Sequence, residues 1–126
     1  MSADVRVRPA TESERAAVAN VIDGAALELA DDVLVAAIEN GAALVAVTGE
    51  DDRVLGALVL DGVRILAVAV RPNRRGQGIG TRLVTAAAER RDRLVAECEE
   101  SVRPFWDSLE FAIESADESG RYVGVR

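Results

Sequence analysis

The apolar positions change period along the chain, and the changes mark out its elements. Val5-Arg6-Val7-Arg8 alternates and predicts a short opening strand. Thr11-x-x-Glu14 is a capping-box pattern, in which the Thr11 side chain would accept from the amide three residues on. Val18, Val21, Ile22 and Ala25 then recur at i, i+3, i+4 and i+7, one buried helical stripe. Asp31 is placed to cap a second helix carrying Leu34, Ala37 and Ile38, closed by Asn40-Gly41. Strands follow at Ala42–Val47 and Val54–Leu60, on either side of the turn-forming Gly49-Glu50-Asp51-Asp52. Asp61-Gly62 reads as a two-residue hairpin turn. Ile65–Val70 is wholly apolar, as expected of a central strand covered on both faces.

Past a glycine-rich stretch, Leu83, Ala86, Ala87 and Arg90 fall at helical spacing within Ile79–Arg90. Leu94–Cys98 is the next strand. Coming after a strand–helix unit, it is expected to run parallel to Ile65–Val70 through a right-handed crossover. Pro104 suits the first turn of a short helix through Leu109. Phe111–Ile113 and Tyr122–Val125, around Ala116-Asp117-Glu118-Ser119-Gly120, read as a closing hairpin. The predicted order is β-α-α-β-β-β-α-β-α-β-β: a single α/β domain over residues 1–126 with a mixed sheet.

Composition narrows the chemistry. The chain has no His, so a Ser-His-Asp triad, a Cys-His pair and a histidine-ligated metal are excluded, and no metal is expected. It has no Lys, which excludes a lysine Schiff base and a lysine-bearing phosphate loop. One cysteine, Cys98, cannot form an internal disulfide, and no apolar run reaches spanning length. A cytoplasmic chain without a membrane partner is expected. The net charge of −7 works against nucleic-acid binding. Arginine in place of lysine, with surplus carboxylates, resembles the usage of salt-loving archaea, and a GC-rich genome would produce the same arginine bias.

Against that acidic background, no carboxylate occurs between Gly62 and Ala88, where Arg64, Arg71, Arg74, Arg75 and Arg82 are gathered. Gly76, Gly78 and Gly80 lie in the same stretch, where a backbone without Cβ can take positive φ and approach a ligand closely. The amides opening the following helix, with its dipole, suit a phosphate. A Walker loop would need a Lys after its glycines. The dinucleotide fingerprint needs G-x-G-x-x-G after a first strand, whereas here the third glycine is out of place and the turn follows the fourth strand.

The run Ala67-Val68-Ala69-Val70-Arg71-Pro72-Asn73-Arg74-Arg75-Gly76-Gln77-Gly78-Ile79-Gly80-Thr81-Arg82-Leu83 resembles the acetyl-CoA motif of the GNAT N-acetyltransferases, [Q/R]-x-x-G-x-[G/A], met by Arg75, Gly78 and Gly80. Val102-Arg103-Pro104-Phe105-Trp106-Asp107-Ser108-Leu109-Glu110-Phe111 is similar to a later stretch of the family. The resemblance implies a GNAT-like fold, with a six- to seven-stranded mixed sheet and about four helices. It also implies acetyl-CoA as co-substrate and direct attack by an amine, without an enzyme nucleophile. Main-chain groups of Val68, Ala69 and Val70 would meet the pantetheine arm. Arg75, Gly76, Gln77, Gly78, Ile79, Gly80 and Thr81 would hold the diphosphate, and Trp106 would line the cofactor. The fourth strand is expected to bulge and to splay from the fifth. The acceptor would be a small-molecule amine or a protein amine, met by the segment from Val18 to Asn40, and the closing hairpin offers an edge for a homodimer.

The chain departs from the family at three places. Trp106 stands where a tyrosine often protonates the departing thiolate, and an indole N–H is no usable acid. Glu110 replaces a glycine, and Glu99 or Glu100 replaces an asparagine. Glu97, Glu99 and Tyr122 are the candidates for proton transfer. A catalytically weak or inactive acetyl-CoA-binding sensor or partner module is therefore the alternative to an acetyltransferase. An unrelated nucleotide binder is the third reading.

Overall fold

The computed structural model describes residues 5–24, 29–49, 52–98, 103–109, 111–114 and 122–126. Strand β1 (Val5–Pro9) leads through a 3-10 turn at Glu12–Glu14 into α1 (Arg15–Gly24) and α2 (Asp31–Glu39). The chain continues through β2 (Ala43–Thr48), β3 (Arg53–Asp61) and β4 (Arg64–Val70). Helix α3 (Ile79–Arg90), β5 (Val95–Cys98), α4 (Arg103–Ser108), β6 (Ala112–Glu114) and β7 (Tyr122–Val125) complete it. The seven strands form one sheet in the order β1-β2-β3-β4-β5-β7-β6. Among the described residues only β4 and β5 pair in parallel, as the strand–helix–strand pattern predicts.

Two faces of the sheet are covered, which explains why β2 is buried throughout and β3 along its whole interior. α1 lies over β3 and β4, with Val18, Val21 and Ile22 inward, and α2 adds Leu34, Ala37 and Ile38 over β2 and β3. α3 covers the other face with Ile79, Leu83, Val84 and Ala87. Val84 thus takes the inward place that spacing assigned to Arg90, which is exposed. A charged guanidinium stays in water while a valine is buried.

Gly56 fixes how closely α3 approaches. A Cβ there would stand 2.9 Å from the Ala69 carbonyl oxygen and 3.2 Å from side-chain carbons of both Ile79 and Leu83. The helix is seated on bare backbone.

Three local expectations shift by about one residue, each for a physical reason. The β3–β4 turn is Gly62-Val63, because Asp61 still pairs with Arg64. Gly62, at φ +59°, takes the first turn position, where a primed turn wants glycine. Helix α2 has Ala30 as its N-cap, and Asp31 sits in the first turn beside Asp32, where their charges complement the helix dipole. β6 begins at Ala112 because the Phe111 amide bonds back to the Trp106 carbonyl (3.2 Å), extending the α4 turn.

The Thr11–Glu14 capping box forms as the pattern predicts: the Glu14 carboxylate receives the Thr11 amide (2.9 Å), and the Glu14 amide, turned to the Thr11 side chain, also bonds to the Thr11 carbonyl (2.9 Å). Arg8 grips the same carboxylate through two nitrogens at 2.8 and 2.9 Å. These hydrogen bonds, chiefly from Arg8, hold the Glu14 carboxyl at about 2, below its ordinary 4.5. The folded-state value is depressed, so the stabilisation is complete above pH 4.5 and fades as pH falls towards 2. Glu14→Gln should cost about 1–2 kcal/mol at pH 7. In urea melts the gap to the parent should close near pH 2.

Candidate functional site

The site forms where the β4–β5 pairing stops. Among the described residues two pairs join these strands, Arg64 with Val95 and Ile65 with Ala96, although β4 runs on to Val70 and β5 to Cys98. On its other side β4 stays paired with β3 as far as Val70, but the register slips between Val59 and Leu60. Leu66 is the extra residue, a bulge that bends β4 beside the point of separation. The bulge and splay implied by the resemblance are both present. They also correct the expectation that β4 is covered on both faces: Ile65, Ala67 and Ala69 are buried, while Leu66, Val68 and Val70 remain half-exposed.

Backbone direction follows from the same ladder. The Arg71 amide donates to the Leu55 carbonyl on β3 (2.8 Å), and the Ala69 carbonyl oxygen lies against Gly56 of β3. Main-chain groups of a strand alternate sides, so those of Val68 and Val70 point into the gap, where β5 supplies no pairing partner. Ala69 faces the other way, which removes it from the main-chain cradle.

At the mouth of this gap the chain turns through a 3-10 segment, Pro72–Arg74, into α3. Gly76 has φ +78° and Gly78 has φ +79° with ψ 10°, conformations in which a side chain is strained. Gly78 is the N-cap of α3, and the first helical bond is the Arg82 amide to the Gly78 carbonyl (3.0 Å). The amides of Ile79, Gly80 and Thr81 therefore lie ahead of the helical ladder, at the positive end of the helix dipole. Gly80 does not share the positive φ of the other two. It is helical, and a Cβ on it would touch Phe105 at 3.4 Å and Val70 at 3.9 Å.

Arg71 and Arg75 are tied to main-chain carbonyls, Nε to Val54 O (2.7 Å) and Nε to Val70 O (3.3 Å). Among the described residues neither they nor Arg74 and Arg82 form an ion pair, while Arg6, Arg8, Arg15 and Arg64 all do. A carboxylate-free turn with four guanidinium groups and unladdered amides has the charge and the donors that suit an anion.

The aromatic residues separate. Trp106 is 7% exposed and packs edge-on between Phe105 and Phe111, with ring centroids 5.0 Å away in each case. Phe105, half-buried, is the ring beside Gly80 and Val70 at the mouth of the gap. Sequence reasoning missed it because a short amphipathic helix does not reveal which of two adjacent rings faces inward.

Glu97 sits on β5 one residue beyond the last rung to β4. Counting in steps of two from Gly56, whose open side faces α3, puts Val68 and Val70 on the α3 face. Asp61 falls on the opposite face, and with it its partners Arg64, Val95 and then Glu97. Arg64 Nη2 donates to Glu97 Oε1 at 2.5 Å. Glu99 lies outside the described residues. Tyr122 pairs with Cys98 at the end of β7, on the far side of β5 from the gap. Among the described residues no three His, Cys, Asp or Glu side chains gather as a metal site. No helix among them is long and apolar enough to cross a membrane.

A mixed sheet whose one parallel pair opens beside a glycine-capped helix N-terminus is the architecture of an acyltransferase domain. Residues 30–113 match the model of the acetyltransferase (GNAT) domain, and the chain belongs to that family. No curated protein matches the chain. Solved structures share the fold. Rv2747 from Mycobacterium tuberculosis, in complex with CoA and NLQ, superposes with a TM-score of 0.80 at 19% identity, covering 95% of this chain and 97% of that one. Ard1 from Thermoplasma volcanium gives 0.78 at 17%, covering 97% and 96%. N-acetylglutamate synthase from Neisseria gonorrhoeae, complexed with coenzyme A and N-acetyl-glutamate, gives 0.76 at 18%, covering all of this chain but only 35% of that one.

Proposed function

We propose that the domain moves an acetyl group from acetyl-CoA to a primary amine by direct attack. The observation that carries this reading is the two-rung β4–β5 ladder opening beside the amides of Ile79, Gly80 and Thr81. The diphosphate would rest on those amides, with Arg75, Gly76, Gln77 and Gly78 shaping the turn around it. The pantetheine arm would bond to the main-chain side of Val68 and Val70 that β5 leaves unpaired, displacing Arg75 from the Val70 carbonyl where it needs that oxygen. Rv2747 and N-acetylglutamate synthase, both solved with coenzyme A, support this choice of ligand.

The amine nitrogen forms the new C–N bond at the thioester carbon. The C–S bond breaks with its electron pair going to sulfur, and a main-chain N–H near Val70 meets the developing oxyanion. An acceptor ammonium loses two protons in all, of which the thiolate regains one and solvent the other. Glu97 is the proton acceptor we favour, since it stands at the vertex of the gap on the face away from α3 and Arg64 orients it. Thiol release from acetyl-CoA over a panel of amines tests the reading. Glu97→Gln should lower kcat/KM about 100-fold at neutral pH without changing acetyl-CoA affinity, and an undiminished rate would remove Glu97 from this role.

Trp106 favours a second reading, a module that binds acetyl-CoA without turnover, because the buried indole offers no acid for the thiolate. Calorimetric binding with no thiol release across the panel would select it.

A further inference from the structure

The Val70 carbonyl oxygen lies on the gap side of β4, where β5 supplies no partner, yet it already holds a donor. Arg75 Nε approaches it at 3.3 Å. The 3-10 segment makes this contact possible: the Arg74 amide bonds back to the Arg71 carbonyl (2.9 Å), and the fold at Pro72–Arg74 returns Arg75 towards the strand it follows. Two arginines of the turn are thus bonded differently. Arg71, half-buried, reaches the Val54 carbonyl of β3 with a short bond of 2.7 Å, which fastens the turn to the sheet. Arg75 is exposed, and its bond lies just beyond the usual range for a nitrogen donor. It is made to be exchanged.

Two groups compete for what Arg75 holds. An extended arm laid along β4 donates its amide N–H groups to the gap-side carbonyls, so it needs the Val70 oxygen that the guanidinium covers. A diphosphate on the amides of Ile79, Gly80 and Thr81 competes instead for the guanidinium. It offers charge-assisted bonds roughly twice as strong as one to a neutral carbonyl. Among the described residues no carboxylate pairs with Arg75 to oppose the transfer.

We propose that Arg75 is a specificity latch, closing the slot to pantetheine thioesters that lack a diphosphate and opening it to those that carry one. The proposal rests on the coenzyme A reading of the site. A diphosphate draws Arg75 away and frees the Val70 oxygen, so the two halves of the cofactor help each other to bind through one side chain. An arm arriving without a diphosphate must displace the guanidinium unaided.

The test splits the cofactor into free pantetheine and inorganic pyrophosphate, and reads pantetheine affinity by NMR titration. In the parent, saturating pyrophosphate should tighten pantetheine about 5-fold, the scale of one released hydrogen bond. Arg75→Met keeps the length of the stem at an exposed position and removes the donor. Pantetheine alone should bind this variant about 5-fold tighter than it binds the parent, and pyrophosphate should add nothing further. Pyrophosphate that leaves the parent's pantetheine affinity unchanged, or lowers it, overturns the proposal. So does an Arg75→Met variant that takes pantetheine no better than the parent, or an absence of pantetheine binding under every condition in a chain that binds coenzyme A. Calorimetry with coenzyme A separates the two levels: a parent that does not bind it overturns the cofactor reading and the latch together.

Discussion

Gly78→Glu is expected to weaken acetyl-CoA binding by at least about 100-fold while the domain stays folded. Gly78 caps α3 at φ +79°, so any side chain adds about 1–2 kcal/mol of backbone strain. Nothing lies within 4 Å of where its Cβ would be, so the added atoms meet open space and the core is untouched. The carboxylate, however, enters the longest stretch of the chain free of negative charge. It sits at the helix N-terminus, where it competes with a phosphate for the same amides. Calorimetry against acetyl-CoA reads the loss, and circular dichroism melts read the modest drop in stability. Gly78→Ala serves as the control carrying strain without charge, and its affinity should fall far less. An unchanged Kd in the glutamate variant would place the diphosphate elsewhere.

The second large effect is on stability. Gly56→Val should destabilise the domain by about 3 kcal/mol, a large fraction of what a domain of this size possesses. The new Cβ would meet the Ala69 carbonyl oxygen at 2.9 Å, a backbone atom held in the β3–β4 ladder that cannot swing aside. Ile79 and Leu83, also in the way, belong to the first turns of α3, so relief by moving the helix displaces the anion-binding amides. Urea unfolding should show the shifted midpoint, and acetyl-CoA affinity should fall with it although Gly56 faces α3 rather than the gap. A variant as stable as the parent would contradict the seating of α3 on bare backbone.

Much of this architecture is written in local patterns. The stripe of Val18, Val21 and Ile22 and the glycine-capped start of α3 depend on neighbours within a turn or two, and both appear where spacing puts them. What sequence cannot express is coverage. An unbroken apolar run such as Ile65–Val70 looks the same whether helices pack on both sides or one side opens to a ligand, and only the two-rung ladder to β5 reveals the difference. The contact of Arg75 with the Val70 carbonyl is harder still, since it depends on how the 3-10 segment folds the chain back. Gly62 and Val63 illustrate the smaller errors: the composition of the turn was legible, its phase was not.

The short parallel ladder has a mechanical meaning as well. Strands β1 to β4 form one panel and β5, β7 and β6 another, hinged along two adjacent pairs of residues. On the proposed reading, a molecule threaded along Val68 and Val70 would stand in for the rungs that the polypeptide leaves out, and the rigidity of the whole sheet would be completed by its own cargo.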